Sequence, residues 1–120
     1  MQIIPVSNAL GANVSDVALD ELTDDQAAQL VDAWSEYGVL FFRDQHLTPD
    51  QHKAFARRFG DIDINRFFNA VDGHPEIAEV LKEADQTANI GGGWHTDHSY
   101  DPAPARGSIL YAHEIPPIGG

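Results

Sequence analysis

Three glycines run directly into a dense group of metal-ligating and aromatic side chains: Gly91-Gly92-Gly93-Trp94-His95-Thr96-Asp97-His98-Ser99-Tyr100. His95 and Asp97 stand two residues apart. In extended backbone, residues i and i+2 project to the same face. An imidazole nitrogen and a carboxylate oxygen are then presented side by side. This donor pair suits a borderline divalent cation such as Fe(II), and it makes up two of the three members of a 2-His-1-carboxylate triad, which leaves coordination positions open for substrate and oxygen. The third ligand must come from elsewhere in the fold. The same spacing also describes a hydrogen-bonded surface pair. The surroundings favour the metal: Trp94, His98 and Tyr100 crowd the segment, and the glycines let the backbone approach a ligand closely. On a continuing strand His98 points away from the metal-facing side and is assigned to support or packing. Tyr100 is read as a packed aromatic and Trp94 as the anchor of the strand start.

The elements that must position this stretch come earlier. The chain has 120 residues, which suits one small domain. Ile3 to Val6 reads as a short strand, and Asn8 to Asp20 as loop or short irregular strands. Thr23 with Gln26 three residues on forms a capping box. Ala27, Leu30, Val31 and Trp34 then recur at helical spacing, and Gly38 suits a left-handed stop. The spacing predicts a helix over 24–37. Val39-Leu40-Phe41-Phe42 is too short for a helix and reads as a strand buried on both faces. Thr48-Pro49 with Gln51 opens a second helix, which carries Phe55 and Phe59 and ends at Gly60. Gly73-His74-Pro75 marks a turn, and Ile77 to Lys82 a strand. Ser108 to Ile115 alternates as a strand, with Ile109, Tyr111, His113 and Ile115 on one face. Two early helices and later strands predict an α+β arrangement, with helices covering one side of a largely antiparallel sheet.

Composition narrows the partners. Net charge is −12, from 7 Lys and Arg against 19 Asp and Glu, so nucleic acid and anionic membrane surfaces are not expected partners. No apolar run is long enough to span a membrane. There is no cysteine, which rules out thiolate metal sites and disulfides. The start lacks the basic and apolar regions of a signal peptide, and a cytoplasmic location is expected.

Trp94-His95-Thr96-Asp97, then Pro102-x-Pro104-x-Arg106-Gly107-Ser108-Ile109-Leu110-Tyr111-Ala112 and Glu114-x-Pro116-Pro117-x-Gly119-Gly120, resembles the Fe(II)/2-oxoglutarate-dependent dioxygenases of the TauD/TfdA (taurine and 2,4-dichlorophenoxyacetate dioxygenase) family. Earlier pieces agree: Gly38-Val39-Leu40-Phe41-Phe42-Arg43, Leu47-Thr48-Pro49 and Phe59-Gly60. The resemblance implies a double-stranded β-helix (jelly-roll) core with helices packed on one side. It implies Fe(II) as cofactor, held in part by His95 and Asp97. It also implies 2-oxoglutarate as co-substrate, consumed with O2 to give succinate and CO2 while a C–H bond of a small organic substrate is oxidised, as a rule hydroxylated.

Three features of the family pattern fall beyond residue 120: the distal histidine ligand, the arginine that pairs with 2-oxoglutarate, and the threonine after Gly-Gly-Asp. Residues 1–120 are therefore expected to be the N-terminal portion of one such domain, truncated at the C-terminal end and inactive alone. His113 is a poor substitute for the distal ligand. Taurine dioxygenases hold the sulfonate partly with a histidine, with a tyrosine nearby, and carry an asparagine four residues before the first ligand. Asn65, Phe68 and Gly91 occupy those places here, and the three changes argue against taurine as substrate. Two alternatives remain at this point: a catalytically incomplete fragment or pseudo-enzyme acting as a binding module, and a zinc hydrolase. His95-Thr96-Asp97-His98 matches the end of the metallo-β-lactamase motif, but Gly93 stands where its first histidine belongs. Homo-oligomerisation is open, an unpaired sheet edge being prone to association.

Overall fold

The computed structural model describes residues 1–88, 91–97 and 99–118. It forms a small mixed α/β arrangement in two compact units, the first running from Met1 to Asp61 and the second beginning at Ile62.

In the first unit, β1 (Gln2–Pro5) pairs antiparallel with β2 (Ala12–Ser15), bringing Ile3 opposite Val14. Ala12 and Val14 are buried, whereas Asn13 and Ser15 are exposed, the period-2 pattern of a strand with one covered face. A 3₁₀ turn (Leu19–Glu21) leads into α1 (Asp24–Tyr37). Both halves of the capping box form: the Thr23 hydroxyl accepts from the Gln26 N–H, and the Gln26 side chain accepts from the Thr23 N–H. Gly38 closes the helix at φ 71°, donating its N–H to the Trp34 carbonyl. The left-handed turn costs glycine little, and it sends the chain straight into β3 (Leu40–Phe42).

β3 pairs parallel with β2, Ala12 opposite Leu40 and Val14 opposite Phe42. The sheet is thus mixed, correcting the antiparallel expectation. A parallel pair needs a crossover of a dozen or more residues, and the 3₁₀ turn and α1 supply it. β3 is also not buried on both faces. Leu40 and Phe42 pack on the core, but Phe41 is 39% exposed, on the row it shares with Asn13 and Ile4, because the helices cover the other face of the sheet. The Arg43 guanidinium lies 5.9 Å from the Phe41 ring centroid.

Helix α2 (Pro49–Ala56) opens with the same device, Thr48 and Gln51 bonding reciprocally. It stops at Ala56, short of Gly60. The N–H groups of Arg58 and Phe59 bond to Phe55 and Ala56, a three-residue spacing that tightens the last turn. The core gathers Val14, Leu19, Leu30 and Phe55. Phe55 meets Phe42 and Phe59 edge to face at centroid distances of 5.8 and 5.2 Å. The Gln45 side chain ties the loops together, donating to the Val17 carbonyl and accepting from the Leu19 N–H. Because each cap satisfies two helix-end donors, Thr23→Ala and Thr48→Ala should each cost about 1 kcal/mol. Urea denaturation checks this, and an unchanged midpoint in either variant would contradict it.

In the second unit, β4 (Ala70–Val71) and β5 (His74–Ala78) form a hairpin. Gly73, at φ 73°, supplies the turn. His74 and Pro75 lie in the strand rather than the turn, and the strand predicted over 77–82 begins earlier and ends at Ala78. Pairing with β4 decides its limits: Val71 faces His74, and the Glu79 N–H closes onto the Asn69 carbonyl at 2.8 Å. Ser108 to Ile115 is not a strand. Its alternation is of the right period, but among the described residues no ladder pairs it, and Leu110 and Ile115 are 87% and 72% exposed. The rings of Tyr111 and His113 still meet edge to face at 4.9 Å, as two-residue spacing predicts. Among the described residues, no helix is long and apolar enough to cross a membrane.

Candidate metal centre

The segment bearing His95 and Asp97 has no regular secondary structure, so local contacts position it. The His95 Nδ1 lies 2.7 Å from the carbonyl oxygen of Gly93. A carbonyl only accepts, so Nδ1 carries the proton in this bond. In the neutral ring Nε2 is then the nitrogen with the lone pair, the form that binds a metal. Nε2 lies 3.3 Å from the Asp97 Oδ1.

This separation fits a shared cation. Two donors each about 2.1 Å from an octahedral ion, at right angles to one another, lie about 3.0 Å apart. The donor set, one imidazole nitrogen and one carboxylate oxygen, also suits Fe(II). Both side chains are open to a ligand, at 55% and 73% exposure for His95 and Asp97. The hydroxyls of Thr96 and Ser99, on either side of Asp97 in the sequence, are 2.7 Å apart. Among the described residues, no three His, Cys, Asp or Glu side chains converge as for a metal ion. The pair by itself is two ligands of a site.

The other predicted site residues fall into two local groups. Gly91 adopts φ 68° and lies against the imidazole: a Cβ there would sit 3.2 Å from Cε1 and 3.7 Å from Nε2 of His95. Asn65 and Phe68 are joined to each other. The Asn65 side-chain oxygen accepts from the N–H groups of Phe67 and Phe68 at 2.8 and 3.2 Å, so it shapes its own turn. Phe68 is half-buried and Phe67 is exposed. Trp94 is fully exposed and Tyr100 69% exposed. Trp94 therefore does not anchor a strand start by packing, and Tyr100 is mostly exposed rather than the packed aromatic expected from the sequence. His98, Gly119 and Gly120 lie outside the described residues. The residue that sequence reasoning missed is Gly93. Its contribution is a backbone carbonyl, which every residue type carries, so its identity could not have signalled the role.

Comparison with known proteins identifies the family of the chain. The family model "Taurine catabolism dioxygenase TauD, TfdA family" matches residues 2–120. A "(S)-phenoxypropionate/alpha-ketoglutarate-dioxygenase" of Sphingobium herbicidovorans is 36% identical over 98% of this chain and 42% of its own length. The crystal structure of a taurine dioxygenase from Burkholderia xenovorans superimposes with a TM-score of 0.70 at 35% identity, over 86% of this chain and 36% of that one. A structure of AAD-2 in complex with Mn(II) and N-oxalylglycine superimposes with a TM-score of 0.51 at 31% identity, over 55% of this chain and 27% of that one. The chain spans less than half the length of each of these relatives. From the family match across residues 2–120, together with the Trp94-His95-Thr96-Asp97 segment, the chain belongs to the TauD/TfdA dioxygenase family.

Proposed function

We propose that residues 1–120 are the N-terminal portion of a jelly-roll Fe(II)- and 2-oxoglutarate-dependent dioxygenase domain, in which His95 Nε2 and Asp97 Oδ1 are two of the metal ligands. One observation carries the assignment: an imidazole whose Nδ1 is anchored on the Gly93 carbonyl and whose Nε2 stands 3.3 Å from a carboxylate oxygen. Iron held by these residues would supply the oxidative chemistry, in which 2-oxoglutarate and O2 are consumed to give succinate and CO2 while a C–H bond of a small organic substrate is oxidised. The protein's part is to bind and orient. Asp97 contributes negative charge to the cation. Gly93 fixes which imidazole nitrogen faces it.

Asn65, Phe68 and Gly91 are proposed to border the substrate. They differ from the residues of taurine dioxygenases at three places, which favours a substrate other than taurine. The 36% identical relative named for (S)-phenoxypropionate makes an aryloxy carboxylic acid the first compound to try. The test is succinate release from 2-oxoglutarate by the intact protein under Fe(II) and O2. The expected result is coupled turnover with (S)-phenoxypropionate exceeding that with taurine, and none from residues 1–120 alone, which hold two ligands of the site. Efficient taurine oxidation would overturn the substrate reading. Turnover by residues 1–120 would overturn the assignment of the chain as a portion of the domain. A folded intact protein that binds no Fe(II) would support a binding module instead.

A further inference from the structure

We infer that Arg66 is the anchor for a carboxylate on the substrate. The turn from Asn65 to Phe68 then recognises an aromatic carboxylic acid by its two halves, the guanidinium taking the anion and the phenylalanine rings the aryl group. The inference rests on the reading of Asn65 and Phe68 as residues that border the substrate. It adds to that reading the group that selects for charge.

The first observation is the place of Arg66 in the turn. The Asn65 side-chain oxygen accepts from the N–H groups of Phe67 and Phe68 at 2.8 and 3.2 Å. Both bonds close over Arg66, so its side chain starts from a fixed stretch of backbone. The second observation is its lack of partners. The chain has 7 Lys and Arg against 19 Asp and Glu, and its other cations are engaged. Lys53 pairs with Asp50, Arg58 pairs with Asp24, and Arg43 lies against the Phe41 ring. Arg57, Lys82 and Arg106 are not without partners either. Arg66 is exposed, and among the described residues it has no ion pair, hydrogen bond or ring contact. An exposed arginine is ordinary by itself. This one is an uncommitted cation, in an acidic chain, between two residues assigned to the substrate. The third observation is chemical fit. An aryloxy carboxylic acid is an anion at neutral pH, and a net charge of −12 opposes its approach, so a local cation is needed to hold it. A guanidinium offers parallel N–H groups that match both carboxylate oxygens. Phe67, 71% exposed, and half-buried Phe68 follow directly and supply aromatic surface.

The experiment is steady-state kinetics on the intact protein with Fe(II), 2-oxoglutarate and O2, comparing wild type, Arg66→Gln and Arg66→Lys. Each is assayed with (S)-phenoxypropionate and with its neutral primary amide, the amide being read as a substrate or as a competitive inhibitor. Arg66→Gln should raise the KM for the acid by about 10- to 100-fold, the scale of a lost hydrogen bond to a charged group, with kcat little changed. It should leave the amide and the KM for 2-oxoglutarate at wild-type values. Arg66→Lys keeps the charge but not the fork and should fall between. Far-UV circular dichroism should be the same in all three, since Arg66 supports no contact. An unchanged KM for the acid in Arg66→Gln would overturn the inference. So would equal losses for acid and amide, which mark a residue that only shapes the turn. A rise confined to the KM for 2-oxoglutarate would also overturn it, by giving the guanidinium to the co-substrate. If the wild type does not oxidise the acid at all, the aryloxy acid reading fails first, and this inference fails with it.

Discussion

His95→Ala in the intact protein is expected to weaken Fe(II) binding by more than about 100-fold, since loss of a ligand should exceed the 10–100-fold typical for loss of a group that merely supports one. Asp97→Ala should do the same, and Asp97→Asn should sit close to it, because the amide keeps the shape but not the charge that a hard oxygen site offers a cation. Far-UV circular dichroism and the denaturation midpoint should stay at wild-type values. The two side chains are 55% and 73% exposed and belong to no core cluster, so their removal leaves no cavity. This combination separates a ligand from a structural residue. A hydrogen-bonded surface pair would yield variants with unchanged metal affinity. A folding role would lower the midpoint and the affinity together.

The second large effect lies in the first unit. Phe55→Ala should destabilise it by about 3–5 kcal/mol, the range for a buried aromatic truncated in a packed core. Phe55 is 4% exposed and belongs to the cluster with Val14, Leu19 and Leu30. It also meets Phe42 of β3 and Phe59 edge to face, so the substitution removes contacts between the helix and the sheet. A unit of 61 residues has a total stability of about 3–9 kcal/mol, so the loss takes a large part of it. Trp34 packs edge to face with Phe59 at 5.9 Å, and its fluorescence reports on this region during urea unfolding. Trp94 is fully exposed and adds little to the change. A loss below about 1 kcal/mol would mean that the core closes around the gap, contrary to the close packing argued here.

The parts of the fold legible in the sequence were those set by local chemistry. The limits of α1 followed from Thr23, Gln26 and Gly38, because a capping box and a left-handed stop act over three or four residues. The start of α2 followed from Thr48 and Pro49 for the same reason. The partner of β3 was not legible. Val39-Leu40-Phe41-Phe42 reads as a strand, but nothing within it says that its neighbour is β2, twenty-five residues earlier and parallel. Ser108 to Ile115 marks the opposite limit. Its alternation dictates which side chains share a face, and Tyr111 and His113 do so, yet a strand exists only with a ladder, and periodicity cannot supply one. At the candidate site the two-residue spacing of His95 and Asp97 was enough to foresee that they stand side by side. The roles of the Gly93 carbonyl and of Gly91 lying against the imidazole were not foreseen, because both depend on backbone directions that residue identity does not encode.

The central claim is that His95 and Asp97 hold iron for a 2-oxoglutarate-dependent reaction. Its most direct test is an anaerobic calorimetric titration of the intact protein with Fe(II), run with and without 2-oxoglutarate, on wild type and His95→Ala side by side. The account predicts one Fe(II) per chain in the wild type, bound more tightly when 2-oxoglutarate is present, and no comparable binding in the variant. Fe(II) binding of equal strength in both proteins would contradict it.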